Sequence, residues 1–173
     1  MVSKKGKKIL GLIAVMMVGV VASCDFVDSQ RIPAVAVNVE LDTYGMWSTY
    51  GVHSYGAYRV FNKSTGTPSN FSYTTGTYTG YGGLLLISGY DFMTGDYNSP
   101  LVYDMACPVE VSKSTLITID SETKQAVCNT CGSRYDVCEG QGAPVSGKAY
   151  ELKYGLQKYT ATASAQGGYL LSR

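Results

Sequence analysis

Histidine is almost absent from this chain of 173 residues, and its scarcity limits the chemistry that the protein can perform. The single histidine, His53, cannot supply two metal ligands, and no serine or cysteine is placed with it in a recognisable nucleophile motif. The thirteen acidic residues show no paired spacing, and residues 80–83 lie inside a strand pattern, so they do not form a phosphate loop. No constellation of residues therefore suggests an enzyme, and we predict that His53 is a surface or strand residue without a chemical role.

Clustered positive charge is also missing from most of the chain. Charged residues make up only 16% of the sequence, and four of the lysines lie within residues 1–23, a segment without acidic residues. Removal of that segment would change the formal net charge from +1 to −3. Nucleic-acid binding requires a clustered basic face, so we expect no nucleic-acid partner. The remaining chain of about 150 residues is long enough to bury one core in a single domain.

A long transmembrane run is lacking as well, because the one extended apolar segment, residues 9–22, has only fourteen residues. As a helix it would rise about 21 Å, short of the roughly 30 Å hydrocarbon core. It follows four lysines and ends in Val21-Ala22-Ser23-Cys24, the arrangement of a cleaved export signal. This ending resembles a bacterial lipobox, in which the cysteine is acylated and becomes the new N-terminus. The alternative is a secretory signal with an incidental cysteine.

The lipobox resemblance implies the organisation of the whole chain. Residues 1–23 are predicted to be a lipoprotein signal peptide, residues 24–31 a tether and residues 32–173 one domain. Lipid on Cys24 would make the membrane a partner, because two or three acyl chains give stable attachment. We expect the protein in the cell envelope of a bacterium, lipid-anchored to the outer membrane or at the periplasmic face.

Helical periodicity is rare after residue 31, whereas turn residues, β-branched residues and aromatic residues are abundant. The chain contains 15 tyrosines and 20 glycines, and glycine-rich turns separate short apolar runs, a pattern typical of short strands. Residues 82–88 are apolar enough for a strand buried on both faces, and only residues 43–51 suggest a helical turn. Further strands are predicted at residues 35–41, 116–120, 125–127, 135–137, 150–154 and 158–162.

Three of the five cysteines form the most informative motif in the sequence. Cys107-Pro108-Val109 is followed by Cys128-Asn129-Thr130-Cys131 and then by Gly132-Ser133-Arg134-Tyr135-Asp136. From about residue 102 to residue 162 this sequence resembles the Rieske iron-sulfur domain family, in which a Cys-x-His pair and a Cys-x-x-His pair hold a 2Fe-2S cluster. Val109 occupies the first histidine position and Cys131 the second, so the ligand set is degenerate. The resemblance implies an all-β, Rieske-like β-sandwich with a small inserted cluster-binding-type subdomain at about residues 107–144.

The resemblance also places Cys107, Cys128 and Cys131 together, with Cys138 at a distance. In an oxidising compartment a disulfide among Cys107, Cys128, Cys131 and Cys138 is the plainest outcome. Metal binding by the first three, as a 2Fe-2S cluster or another centre, would need a fourth ligand that the sequence does not show. A redox-active Cys-x-x-Cys pair would need a helix after Cys131, whereas the sequence predicts a turn and a strand.

The main functional hypothesis is therefore a lipoprotein whose Rieske-like domain has lost its cluster, carries no cofactor, and serves as a binding or structural module, with an envelope protein as a possible partner. The alternative is an electron-transfer or sensor protein that uses Cys107, Cys128 and Cys131 to hold a 2Fe-2S cluster or another metal.

Overall fold

The computed structural model describes residues 26–173, which form an all-β fold as the sequence predicts. The signal peptide and the lipidation site at Cys24 lie outside the described residues. In chain order the elements are β1 (Val37–Thr43), α1 (Tyr44–Tyr50), β2 (Tyr58–Phe61), β3 (Tyr78–Thr79), β4 (Leu84–Asp91), β5 (Asp96–Asp104), β6 (Thr118–Ile119), β7 (Ala126–Val127), β8 (Arg134–Asp136), β9 (Ala143–Ser146), α2 (Lys148–Leu152), β10 (Lys158–Ala163) and β11 (Gly167–Ser172).

Seven strands form the larger sheet, in the order β2-β4-β5-β10-β11-β1-β3, with antiparallel neighbours throughout. The sheet curls until it is nearly closed. The two edge strands, β2 and β3, approach each other. Lys63, two residues after the end of β2, donates its backbone N–H to Thr79 Oγ1 of β3 at 3.3 Å. Closure of this kind leaves little strand edge exposed.

Strand β4 separates two hydrophobic cores, which explains its continuous apolar sequence. Leu84 and Leu86 point into the core of the curled sheet, whereas Leu85 and Ile87 point into a core shared with the smaller sheet. All four side chains are at most 1% exposed. Burial of each such side chain contributes about 1.5–3 kcal/mol. The prediction of a strand buried on both faces is confirmed.

The smaller sheet has the order β6-β7-β8-β9 and covers the second face of β4 and β5. Strands β6 and β7 form the predicted hairpin, with Thr118 opposite Val127 and Ile119 opposite Ala126. Tyr135 from β8 is fully buried in the shared core beside Leu85 and Ile87. This sheet delivers Cys128 and Cys131 to the region where β5 ends.

Helix α1 is confirmed, but the prediction of a strand at residues 150–154 is wrong. Residues Lys148–Leu152 form the short helix α2, which ends at Lys153 with φ 57° and ψ 41°. The helix is fixed by a tertiary contact, because Ala149 donates its N–H to Ser133 Oγ at 2.9 Å. Strand β11 was not recognised in the sequence, although it pairs with both β1 and β10. None of the described helices has the length and apolar character needed to cross a membrane.

The segment predicted as a tether is partly bound to the domain. Asp28 donates its N–H to the Lys153 carbonyl at 2.8 Å, and its own carbonyl accepts the Gly155 N–H at 2.9 Å. These bonds form a parallel bridge between Asp28 and Tyr154. Ile32 is 3% exposed. The chain is therefore held in place from Asp28 onward.

Candidate metal site at three cysteines

Cys107 lies in the loop that follows β5, where backbone hydrogen bonds fix its position. Its N–H donates to the Thr115 carbonyl at 3.0 Å, and its carbonyl accepts the Val111 N–H at 2.8 Å. The preceding residue, Ala106, forms an isolated bridge with Leu116. The loop is thus closed on both sides of Cys107, and the thiol is fully buried.

Cys128 and Cys131 lie at the two ends of a tight turn between β7 and β8. The Cys128 N–H donates to the Ser133 carbonyl, and the Cys128 carbonyl accepts the Gly132 N–H, each at 2.9 Å. Gly132 has φ 68°, a left-handed conformation that glycine adopts at little cost. The turn therefore folds Cys131 back beside Cys128 without starting a helix, as the sequence predicts.

The three thiols form a compact cluster. Their sulfur atoms all lie within 4.8 Å of one another, and the Sγ atoms of Cys107 and Cys131 are 3.6 Å apart. Cys107 and Cys128 are fully buried, whereas Cys131 is partly exposed. Cys138 is not part of this cluster, and its Sγ lies 3.9 Å from the Lys124 carbonyl. Two of the three thiols are therefore shielded from solvent, and solvent reaches the cluster at Cys131.

The expected disulfide is absent, which corrects the prediction from the sequence. Cys107, Cys128, Cys131 and Cys138 are all free thiols. A disulfide bond requires sulfur atoms about 2.05 Å apart, whereas Cys107 and Cys131 are separated by 3.6 Å. Their sulfurs are in hydrogen-bond contact and are not covalently joined. Cys138 is held away from the other three, beside the β6–β7 turn.

Two hydroxyl groups approach the cluster from the strand side. Ser133 Oγ lies 3.1 Å from Cys131 Sγ, and Tyr135 Oη lies 3.7 Å from Cys107 Sγ. Both residues are fully buried. Because Ser133 Oγ already accepts the Ala149 N–H, its own proton is available to the Cys131 sulfur when that sulfur is ionised.

These surroundings separate the pKa values of the thiols. Burial raises the pKa of Cys107 to about 12. Burial also acts to raise the pKa of Cys131, but hydrogen bonds from the Ser133 hydroxyl and backbone, together with the other thiols, outweigh it and lower the pKa. Burial raises the pKa of Tyr135, and the neighbouring Cys107 raises it further, so the phenol stays protonated. Cys131 is thus favoured over Cys107 for ionisation in the metal-free protein.

The remaining predicted positions contribute no ligand to the cluster. Val109 is partly buried and packs against the shared core. His53 is exposed, with Nε2 at 3.4 Å from the Ser48 carbonyl and its ring against Trp47 at a centroid distance of 6.0 Å. Among the described residues, the grouped metal-ligand atoms at this site come from Cys107, Cys128 and Cys131 alone.

Ser133 and Tyr135 were not recognised as site residues from the sequence, although a signal was present. Alternate residues of a strand point to the same face. The spacing of Cys131, Ser133 and Tyr135 therefore predicts that all three face the same side as the chain enters β8. The role of Ala149 could not be inferred in this way, because it depends on a contact between residues separated by 16 positions.

Comparisons with protein-family models, with curated proteins and with solved structures found no match to this chain. The resemblance to Rieske domains therefore stays a prediction from the cysteine motif and its flanking residues. The functional argument rests on the geometry of the three thiols.

Proposed function

We propose that the domain binds one thiophilic metal ion through Cys107, Cys128 and Cys131, in a chain that is attached to the cell envelope by lipid on Cys24. The observation that supports this proposal is the convergence of three free sulfur atoms within 4.8 Å. Thiolate ligands select zinc, copper(I) and iron over hard cations such as magnesium or calcium. The site therefore suits a soft or borderline metal.

The geometry favours a single ion over a 2Fe-2S cluster. Zinc–sulfur bonds of about 2.3 Å place tetrahedral sulfur ligands about 3.8 Å apart. The 3.6 Å separation of Cys107 and Cys131 is close to that value. A 2Fe-2S cluster distributes four protein ligands over two irons, whereas these three sulfurs all lie within 4.8 Å of one another. Zinc is accordingly the metal that we expect.

An open coordination position follows from the ligand count. Structural zinc sites have four protein ligands, whereas catalytic sites have three and leave the fourth position to water or substrate. The described cluster supplies three sulfurs and is partly exposed only at Cys131. A fourth ligand from solvent or from a partner would enter on that side. We infer a sensing or metal-transfer role, in which an exchangeable ligand is useful.

The charge of the metal compensates for the burial of the thiolates. In the metal-free protein the raised pKa keeps Cys107 protonated at neutral pH. A bound divalent cation stabilises thiolates directly, so metal binding must displace the proton of Cys107. Three thiolates and one divalent ion leave a formal charge of −1. Metal affinity should therefore rise with pH.

The purely structural alternative loses its main support. A cross-link between Cys107 and Cys128 would have stabilised the domain by about 3 kcal/mol in the chain-entropy model. All four described cysteines are free, so this contribution is absent. Three adjacent reduced thiols have an evident use in metal coordination.

The test is a metal titration of the full chain, purified without oxygen and kept reduced. We expect one equivalent of Zn²⁺ to bind, with proton release, and one equivalent of Co²⁺ to give an intense thiolate-to-metal charge-transfer band. Cys107→Ser and Cys131→Ser should each weaken binding at least tenfold. Cys138→Ser is the matched control, because Cys138 is buried but lies outside the cluster.

Two results would contradict the proposal. Equal affinity in Cys131→Ser and Cys138→Ser would show that the cluster does not hold the metal. Stoichiometric iron and acid-labile sulfide in the purified protein would identify a 2Fe-2S cluster and overturn the single-ion assignment.

A further inference from the structure

The short connection between Cys24 and the domain restricts how the protein can be oriented. Asp28 is fixed by hydrogen bonds with Lys153 and Gly155, at 2.8 and 2.9 Å. Only four residue steps separate Cys24 from Asp28, and a fully extended chain covers at most about 14 Å over that distance. If Cys24 carries lipid, the surface around Asp28 must lie close to the membrane.

Two large side chains near Asp28 are exposed. Phe26 is 80% exposed and Tyr150 61%. Val27, which follows Phe26, lines one shallow pocket together with Pro144, Tyr150 and Lys153. We call this surface the α2 face, defined by Phe26, Val27 and Tyr150.

Basic side chains lie in the two segments that carry the α2 face. Lys148 and Lys153 lie at the two ends of α2, and Arg31 follows the bound N-terminal segment, its guanidinium stacked on a tyrosine ring at 4.4 Å. The same segments, residues 24–31 and 148–153, also carry Asp25, Asp28 and Glu151, so their formal net charge is zero. Tyrosine and phenylalanine favour the boundary between lipid headgroups and acyl chains.

We propose that the α2 face lies on the lipid bilayer and inserts Phe26 and Tyr150 at the headgroup boundary. The proposal rests on acylation of Cys24, which is part of the proposed function. The lipid places the domain at the membrane, and the α2 face determines which side of the domain is in contact.

Helix α2, which carries part of the α2 face, is also close to the cysteine cluster. Tyr150 is exposed on helix α2, whereas the preceding Ala149 is buried and donates its N–H to Ser133 Oγ. Ser133 in turn lies 3.1 Å from Cys131 Sγ. One short helix thus connects the membrane-facing surface to the thiol at the open side of the site.

The experiment measures the depth of a new tryptophan in the full-length acylated chain, in which Trp47→Phe removes the single native tryptophan. The acyl mass is first verified by mass spectrometry. The protein is reconstituted into phosphatidylcholine vesicles that contain phosphatidylglycerol and brominated acyl chains, which quench nearby indoles. Tyr150→Trp tests the α2 face. Tyr44→Trp is the matched control, because Tyr44 is 74% exposed and contacts the turn between β10 and β11. Gly155 lines a pocket with Val27, and β10 then carries the chain about 16 Å along the strand before it reaches that turn.

We expect the emission of Tyr150→Trp to shift to shorter wavelength and to be quenched more strongly than that of Tyr44→Trp. Equal quenching at the two positions, in acylated protein that stays on the vesicles, would overturn membrane contact by the α2 face while the lipid anchor stands. Absence of the acyl mass would remove the premise and overturn the proposal with it. Zinc binding by the cysteines would be unaffected by either result, so failure here is distinguishable from failure of the metal site.

Discussion

Replacement of Ser133 by alanine should affect both the stability of the domain and the ionisation of Cys131. Ser133 is fully buried, accepts the Ala149 N–H at 2.9 Å and lies 3.1 Å from Cys131 Sγ. In Ser133→Ala the Ala149 N–H loses its acceptor inside the protein. The ionised Cys131 sulfur also loses a hydrogen-bond donor.

The magnitude follows from these two losses. An unsatisfied buried donor costs about 1–3 kcal/mol, and each kcal/mol lowers the melting temperature by about 2–4 °C in a chain of this size. The donated bond from Ser133 is the largest of the influences that lower the pKa of Cys131, so this pKa should rise in the variant. A higher pKa means less thiolate at neutral pH and slower reaction with iodoacetamide.

The assay combines denaturant unfolding of reduced, metal-free protein with the pH dependence of Cys131 alkylation, followed by peptide mass spectrometry. Ser114→Ala is the control, because Ser114 is exposed and its hydroxyl bonds to Ser112 Oγ at 2.9 Å. This substitution should change the free energy of unfolding by less than about 0.5 kcal/mol. The reasoning would be refuted if Ser133→Ala matched Ser114→Ala in stability and left the alkylation profile of Cys131 unchanged.

Two further predictions concern other buried groups. Asp104→Asn should lower the free energy of unfolding by about 1–3 kcal/mol, because the fully buried carboxylate accepts three backbone N–H groups and the Tyr159 hydroxyl, and an amide leaves at least one N–H without an acceptor. Denaturant unfolding checks this against Asp96→Asn, an exposed site; equal stability of the two variants would contradict it. Burial raises the pKa of Cys107 from 9.0 to about 12, so the folded chain keeps a proton that the unfolded chain loses. This stabilisation is complete below about pH 9, the pKa of the thiol in the unfolded chain. It is lost as the pH rises through the pKa of about 12 that Cys107 has in the folded chain. Urea midpoints of metal-free protein between about pH 8 and about pH 11 should fall more steeply for the wild type than for Cys107→Ala; parallel slopes would exclude this contribution.

Much of the strand pattern could be predicted because it depends on local alternation. In β1, Val37, Val39 and Leu41 are buried as the sequence indicates, although the strand begins two residues after Val35. Strand β4 was predicted from its apolar run alone, since two cores require apolar residues on both faces. The segment at residues 150–154 shows the limit of this reasoning. Its alternating Tyr150, Leu152 and Tyr154 resemble a strand, but two of these side chains are exposed on α2.

The cysteine site could also be predicted only in part from the sequence. The ligand count and the single histidine exclude a cluster with two histidine ligands, and no structure is needed for that conclusion. Whether Cys107 and Cys128 are bonded or free depends on distances of a few ångströms between loops, which spacing cannot supply.

The sequence by itself determined the all-β fold class, the approximate positions of most strands and the set of three candidate thiols, because these depend on side-chain periodicity and residue identity. The tertiary structure decided the opposite pKa shifts of Cys131 and Cys107, the helical form of α2 and the exposure of Tyr150 on that helix. Each of these depends on hydrogen bonds between residues distant in sequence, such as Ala149 with Ser133 and Asp28 with Lys153. Such bonds form only after the strands have paired, so local sequence preferences do not encode them.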